Sequence, residues 1–128
     1  MILHSTFLIS RSAIANSFTV DKKMLRVAIR RIKPGKEQKL RNWLAELNLR
    51  ASEVRATFKD ETVRAEQAYI ISSADGPLLI YIMEAQDFCV AQKAFLNSQH
   101  QIDHEHRQVI EECLGESLNV APLYDMKI

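Results

Sequence analysis

The sequence predicts an α+β fold in which helices cover one face of a four-stranded antiparallel sheet. Strands are predicted over residues 24–33, 62–72, 78–85 and 118–128, and the first of them shows a clear alternation of apolar and polar residues. Apolar residues at helical spacing follow the first strand and the third strand, and they indicate an amphipathic helical segment after each. The resulting order, β-α-β-β-α-β, is that of the ferredoxin-like fold.

The longest predicted helix spans residues 36–58. It follows the strand over residues 24–33, which Pro34-Gly35 ends because proline cannot donate a backbone hydrogen bond to a sheet. One side of the helix is apolar over its whole length, which predicts that it packs on the sheet. The residues of this stripe are Leu40, Trp43, Leu44, Leu47, Ala51, Val54 and Phe58.

The strand over residues 78–85 is apolar on both faces. Such a strand lies in the centre of a sheet, or its second face is covered by another subunit. An uncovered apolar sheet face predicts a homodimer that closes sheet against sheet. Four charged residues of the other strands are expected to be cross-strand partners on this uncovered face. They are Arg26, Arg30, Arg64 and Glu66.

The second half of the chain carries two candidate helix caps. Asp87 is predicted to cap the helix after the third strand. Asp103 is predicted to cap a further helical stretch, which Gly115 ends. A last strand is predicted over residues 118–128, where Pro122 favours a sheet edge.

Composition excludes several classes of function. The formal net charge of +1 gives no basic excess for nucleic acid, and no apolar run has the length of a membrane span. The two cysteines, Cys89 and Cys113, are expected to be buried thiols of a cytoplasmic protein. Residues 1–23 are expected to be a flexible N-terminal extension before a single domain over residues 24–128. Arg11 interrupts the short apolar run of that extension and argues against a secretory signal.

The strongest candidate site is the His-rich stretch over residues 100–106, which contains three of the four histidines. On a helical wheel His106 lies in the middle of an apolar stripe with Ile102 and Val109, whereas His104 faces solvent. His106 is therefore a candidate general base or ligand in the gap between helix and sheet. The alternative is a buried neutral imidazole with structural hydrogen bonds, and it is favoured because buried polar groups usually have structural partners.

Four further residues complete the candidate catalytic set. Tyr69 and Tyr81 would each supply a phenol to the same gap if their strand faces turn toward the helices, and His100 and Asp103 lie in the His-rich stretch. His100 and His104, at i and i+4, also fit a metal site, but only in a helix that is unbroken between them. Because Asp103 is expected to start a new helix there, no metal site and no cofactor are predicted.

Short motifs carry a resemblance to a known group of proteins. They are Ile32-Lys33-Pro34-Gly35-Lys36 at a strand end, Trp43-Leu44 in the long helix, the strand pair around Tyr69 and Tyr81, and Ser98-x-His100-x-Ile102-Asp103-x-Glu105-His106. With them, residues 24–128 resemble the dimeric α+β barrel proteins related to antibiotic-biosynthesis monooxygenases, and more closely an uncharacterised bacterial family in that group. The resemblance implies a barrel-like dimer whose subunits bind small aromatic or polyketide molecules, or haem, between helices and sheet. The Asn/Trp/His set of the haem-degrading members is lacking, which argues against haem.

Two hypotheses about function follow. In the first, the protein binds or transforms a small organic molecule in the helix–sheet cavity near His106. In the second, it is a non-catalytic dimer, with a binding or structural role, whose His-rich turn is a helix cap. The first requires a pocket of a few hundred cubic ångströms beside His106. The second requires that side chains fill this space.

Overall fold

The computed structural model describes residues 24–128, so the expected extension over residues 1–23 lies outside the described residues. The elements are β1 (Met24–Ile32), α1 (Glu37–Leu49), α2 (Ala51–Glu61), β2 (Val63–Ile71), β3 (Leu78–Ala85), α3 (Phe88–Leu96), α4 (Gln101–Cys113) and β4 (Leu114–Leu118). The α+β class is confirmed, and each helical segment is divided into two helices. Within residues 24–128, no helix is both long and apolar enough to cross a membrane.

The four strands form one antiparallel sheet in the order β2-β3-β1-β4. β3 is an inner strand, as its two apolar faces predict. Leu79, Tyr81 and Met83 are buried under the helices, whereas Ile80 and Ile82 lie half-buried on the opposite face. The ferredoxin-like expectation therefore holds for the sheet and for the single helix-covered face.

Three of the four charged residues expected on the uncovered face of the sheet lie on the opposite face. Arg26 and Arg30 share the helix-covered face of β1 with Ala28, which is buried. Glu66 of β2 lies opposite the buried Met83 of β3. The prediction that Arg26, Arg30 and Glu66 are partners on the uncovered face is therefore wrong.

Specific contacts explain how two guanidinium groups are held on the covered face. Arg26 lies over the ring of Phe88, 5.2 Å from its centroid. Arg30 donates from Nη2 to the carbonyl oxygen of Gly115 at 2.8 Å. The apolar side chains of β1 lie on the uncovered face instead, where Leu25 is 65% exposed.

The long helix predicted over residues 36–58 is interrupted at Arg50. The backbone of Arg50 has φ −108° and ψ 38°, outside the helical range, so α1 ends at Leu49 and α2 begins at Ala51. α2 continues past Phe58 to Glu61 and ends at Thr62, which has the left-handed φ of 58°. The predicted helix end at Phe58 is therefore too early by about one turn.

The caps and the last strand also differ from the prediction. Asp87 does cap α3, because its Oδ1 accepts from the backbone N–H groups of Cys89 and Val90. Asp103 does not cap α4, which begins at Gln101 with His100 at the N-cap position.

The C-terminal strand comes earlier than the sequence predicts. Leu114 has extended backbone angles and is buried, so the chain passes directly from α4 into β4. β4 therefore spans Leu114–Leu118 rather than residues 118–128, and Gly115 lies inside a strand instead of ending a helix. Strand β4 pairs with the second half of β1, from Ile29 to Ile32.

Candidate functional site

His106 lies on the inner side of α4 and is 3% exposed. Trp43 of α1 donates a hydrogen bond from Nε1 to Nδ1 of His106, at 2.9 Å. Because Nδ1 accepts, the neutral ring carries its proton on Nε2. Burial lowers the pKa of His106 well below its ordinary value, and the nearby positive charge of Arg107 adds to this effect. The imidazole is therefore neutral at physiological pH.

The second nitrogen of His106 is available to a ligand. Nε2 is buried and has no hydrogen-bond partner among the described residues. Phe95 of α3 meets the ring edge-on, with 6.0 Å between ring centroids, and so restrains its orientation together with Trp43. A buried N–H donor without an acceptor costs free energy, which indicates a missing partner.

A cavity of about 370 Å³ adjoins His106. Helices α1 and α2 form one wall, and strands β2 and β3 form the other. The lining is mainly apolar, with a small set of polar groups, as in pockets for small organic molecules. Its residues are Leu44, Leu47, Asn48, Val54, Phe58, Glu66, Gln67, Ala68, Tyr69, Tyr81 and His106.

Tyr81 and Glu66 supply a hydrogen-bonded pair to the lining. They lie on neighbouring strands, on the face that the helices cover, and the Tyr81 hydroxyl donates to Oε2 of Glu66. Burial raises the pKa of Glu66, and burial together with the charge of Glu66 raises the pKa of Tyr81 well above its ordinary value. The phenol is thus a neutral donor, and the carboxyl can gain or lose a proton nearer to neutral pH than a surface carboxyl does.

Two more carboxyls lie in the interior next to this pair. Glu61 at the end of α2 and Asp103 in the first turn of α4 are each 1% exposed. Burial raises the pKa of Glu61 to about 7, and the charges of Glu66 and Asp103 contribute. Oδ1 of Asp103 has no hydrogen-bond partner among the described residues. A strongly perturbed group beside a cavity is typical of a functional site.

The structure brings only some of the candidate residues together. His106 and Tyr81 both line the cavity, on the helix-covered side of the sheet. Tyr69 lines it from the β2 edge, but strand pairing turns its side chain to the uncovered face, where it is 49% exposed. His100 is separate: its Nε2 lies 2.8 Å from Oδ2 of Asp60 on the protein surface.

The metal site considered for His100 and His104 does not form. His100 pairs with Asp60, and His104 is exposed, with its Nε2 3.4 Å from Nε2 of Gln108. Across residues 24–128, no group of three His, Cys, Asp or Glu side chains is arranged to hold a metal ion.

Glu61 and Glu66 were missed at the level of sequence, although each carries a positional signal. Glu61 follows Val54 and Phe58 at intervals of seven and three residues, so it continues their apolar stripe once the helix extends that far. Glu66 lies two and four residues before Ala68 and Ile70 along β2, so the three side chains are on the same face of the strand.

Comparison with known proteins gives a family and one similar structure. The model of a family described as a family of unknown function (DUF6176) matches residues 23–127. The crystal structure of a conserved protein from Methanosarcina mazei Go1 is similar at 21% identity, over 73% of this chain and 83% of that chain, with a TM-score of 0.42. A search of curated proteins gives no match.

Proposed function

Because the chain belongs to a family of unknown function, DUF6176, we propose its function from the site itself: the protein binds a small organic molecule in the helix–sheet cavity beside His106. The cavity carries this proposal. Its volume of about 370 Å³ lies within the range of ligand pockets, and its apolar walls surround a few convergent polar groups.

Each polar group would have a distinct role toward the ligand. His106 would donate from Nε2–H to an acceptor on the ligand, since Trp43 already occupies Nδ1. Tyr81 and Glu66 would hold a second polar group through the phenol oxygen and the carboxylate. If the ligand is transformed, proton transfer is the chemistry that fits, with Glu66 as the acid or base because it lines the cavity and burial raises its pKa above that of a surface carboxyl.

The alternative of a purely structural His-rich turn has weaker support. It requires a helix cap from Asp103, but Asp103 lies inside the first turn of α4, and the N-cap residue His100 makes no side-chain cap bond. It also requires a filled space next to His106, and a cavity adjoins this residue.

A cavity-filling variant tests the proposal. Ala68 lines the cavity, so Ala68→Phe would occupy it without removing a polar group. Ala45→Phe is the matched control, since Ala45 is exposed on α1 and does not line the cavity. Saturation-transfer NMR would use benzyl alcohol, benzylamine and benzoate as probes for neutral, cationic and anionic ligands.

The expected result is that at least one probe binds to the original protein and to Ala45→Phe but not to Ala68→Phe. Equal binding to all three proteins, or binding to none of them, would overturn the proposal. Circular dichroism of each variant would establish that the fold is retained.

We propose further that two copies associate through the uncovered face of the sheet. Apolar side chains of β1, β2 and β3 cluster there, and contiguous exposed apolar surface is typical of an interface. The resemblance of residues 24–128 to dimeric α+β barrel proteins supports the same assembly. The residues of this face are Leu25, Val27, Ile29, Tyr69, Ile71, Leu78, Ile80 and Ile82.

A cytoplasmic location is part of the same proposal. Cys89 and Cys113 are both free thiols, and Cys113 is fully buried. Free buried thiols are stable in a reducing compartment.

A further inference from the structure

We propose that residues 120–128, the C-terminal arm, add as a strand to the free edge of β2 in a second copy of the chain. Each copy gives its own arm and accepts the arm of the other. This inference goes beyond ligand binding in the cavity. It rests on the association of two copies proposed above and assigns the segment that holds them together.

The C-terminal arm is exposed at every residue, although most of these residues are apolar. Leu123 is 104% exposed, Tyr124 79% and Met126 70%. Within residues 24–128, no backbone hydrogen bond joins the arm to another segment. The family match extends to residue 127, so nearly all of the arm belongs to the matched domain. A cluster of exposed apolar side chains is typical of a segment that contacts a partner.

The arm departs from its own sheet while its sequence keeps the pattern of a strand. Pairing between β4 and β1 stops where Leu118 lies opposite Ile29, although β1 extends back to Met24. Beyond Leu118, alternate positions are apolar, and both charges of the arm lie in the other set. The apolar set is Val120, Pro122, Tyr124, Met126 and Ile128, and the other set is Ala121, Leu123, Asp125 and Lys127. A strand forms where its backbone groups meet a neighbouring strand, so this pattern indicates an edge outside its own sheet.

The outer side of β2 is an edge of suitable length. The strand order is β2-β3-β1-β4, and among the described strands β2 pairs with β3 alone. β2 has nine residues, Val63–Ile71, and contains no proline or glycine. A long edge strand with unpaired backbone groups is a template for strand addition. Tyr69 and Ile71, both exposed, would contact the apolar side chains of the added arm.

A second copy places this edge within reach of the arm. Leu118 lies opposite Ile29 and so points to the uncovered face, where the second copy is proposed to pack. Facing sheets lie about 10 Å apart and an extended chain advances about 3.3 Å per residue, so about three residues cross the gap and about six remain to pair. Pro122, which cannot donate a backbone hydrogen bond, falls in the crossing part. The chain's own β2 is farther away, at the opposite edge of its sheet and about 14 Å from β4.

Sedimentation velocity of the full chain tests whether the arm acts as a strand. Met126→Asp places a charge in the apolar set, and Leu123→Asp makes the same kind of change in the other set. We expect Met126→Asp to raise the dissociation constant of the dimer by at least about tenfold, because each dimer loses two buried apolar side chains. Leu123→Asp should change it by less than about threefold, since surface substitutions have small effects. Both residues are exposed in the single copy, so circular dichroism should show the same fold for each variant.

Cross-linking between copies tests which edge the arm occupies. Copies with Met126→Cys are mixed with isotope-labelled copies that carry Gln67→Cys, an exposed position on β2, and treated with a short bismaleimide. Both variants also carry Cys89→Ser, because Cys89 is partly exposed. Mass spectrometry should show products that join a labelled to an unlabelled copy. Leu49→Cys on α1 is the matched control and should give far less of the mixed product.

The outcomes separate this inference from the proposed dimer and from ligand binding. If Ile80→Asp dissociates the dimer and Met126→Asp does not, the dimer is retained but the arm inference is wrong. Equal effects of Met126→Asp and Leu123→Asp, or cross-linking confined to single chains that carry both cysteines, would also overturn it. A monomeric original protein would refute both the dimer and the arm exchange, while binding in the cavity is still decided by Ala68→Phe.

Discussion

Glu61 occupies a position that disfavours its charge. It is 1% exposed and is the last residue of α2, where the partial negative charge of the helix end lies. Burial raises its pKa to about 7, with Glu66 and Asp103 adding to the effect. The protonated carboxyl is therefore the form that the folded protein favours below neutral pH.

The pH dependence of stability should reveal this residue. Its pKa is 4.5 when unfolded and about 7 when folded, so the folded state retains a proton that the unfolded state loses. The free energy of unfolding should consequently fall by up to about 3 kcal/mol as the pH rises through this window. Glu61→Gln lacks the titrating group, so relative to the original protein it should be more stable at roughly pH 8 than at about pH 5.

Urea denaturation gives the free energy of unfolding of both proteins at the two pH values. The change between the two pH values is then compared between the proteins. This comparison cancels contributions that do not depend on pH, including the cost of replacing a carboxyl by an amide. Glu111→Gln, at an exposed position, is the control. Parallel pH profiles for Glu61→Gln and the original protein would contradict the assigned environment.

The sequence pattern identifies His106 as an inward-facing residue because α4 is regular and its neighbours Ile102, Val109 and Cys113 are apolar. The same reasoning cannot identify Glu61, because charged residues are mostly exposed and a carboxyl is normally taken to mark the end of an apolar stripe. The cavity is even less accessible to sequence reasoning. It depends on how far α1 and α2 stand from β2, a distance that no local pattern contains.

At the level of elements, the break between α1 and α2 positions the site. The guanidinium of Arg50 contacts Glu46 and Glu53 across the break and Glu105 on α4, and it lies over the Trp43 ring. Three helices that border or support the cavity therefore meet at one side chain. The apolar stripe alone predicts a single helix, because residues on both sides of Arg50 face the sheet.

Replacing Arg50 should loosen this junction. Arg50→Met retains an unbranched side chain of similar helix propensity but removes the guanidinium and its ion pairs. It should lower the midpoint of thermal unfolding more than Arg41→Met, since Arg41 has a single exposed pair with Glu37 on its own helix. High salt should narrow the difference by screening the network. Equal midpoints for the two variants would show that Arg50 does not join the helices.

β1 illustrates a second limit of sequence patterns. Its alternation is real, but the apolar set of Leu25 and Val27 faces outward, whereas Ala28 and Ile32 face the core. Both faces of the sheet carry apolar residues, so periodicity defines two faces without showing which one the helices cover. The location of β4 was missed for a related reason, since Leu114 continues the apolar stripe of α4 and also begins the strand.

For the whole molecule, the uncovered sheet face leads to the last prediction. If two copies pack through it, light scattering should give twice the chain mass at micromolar concentration. Ile80→Asp should give the monomer, because it places a charge in the middle of the apolar face. Leu49→Asp is the control, since Leu49 is 87% exposed on α1 and lies away from that face. A monomeric original protein would refute the assembly.

The direct passage from α4 into β4 links the cavity to the edge of the sheet. His106 lies about two turns before Cys113, and Leu114 already belongs to the strand. Hydrogen bonds from Lys33 to the carbonyl of Cys113, at 2.8 Å, and from Arg30 to that of Gly115 attach the junction to β1. Because no residue separates the two elements, α4 cannot shift along its axis without moving the start of β4. The position of His106 in the interior is therefore fixed in part by hydrogen bonds made at the edge of the sheet.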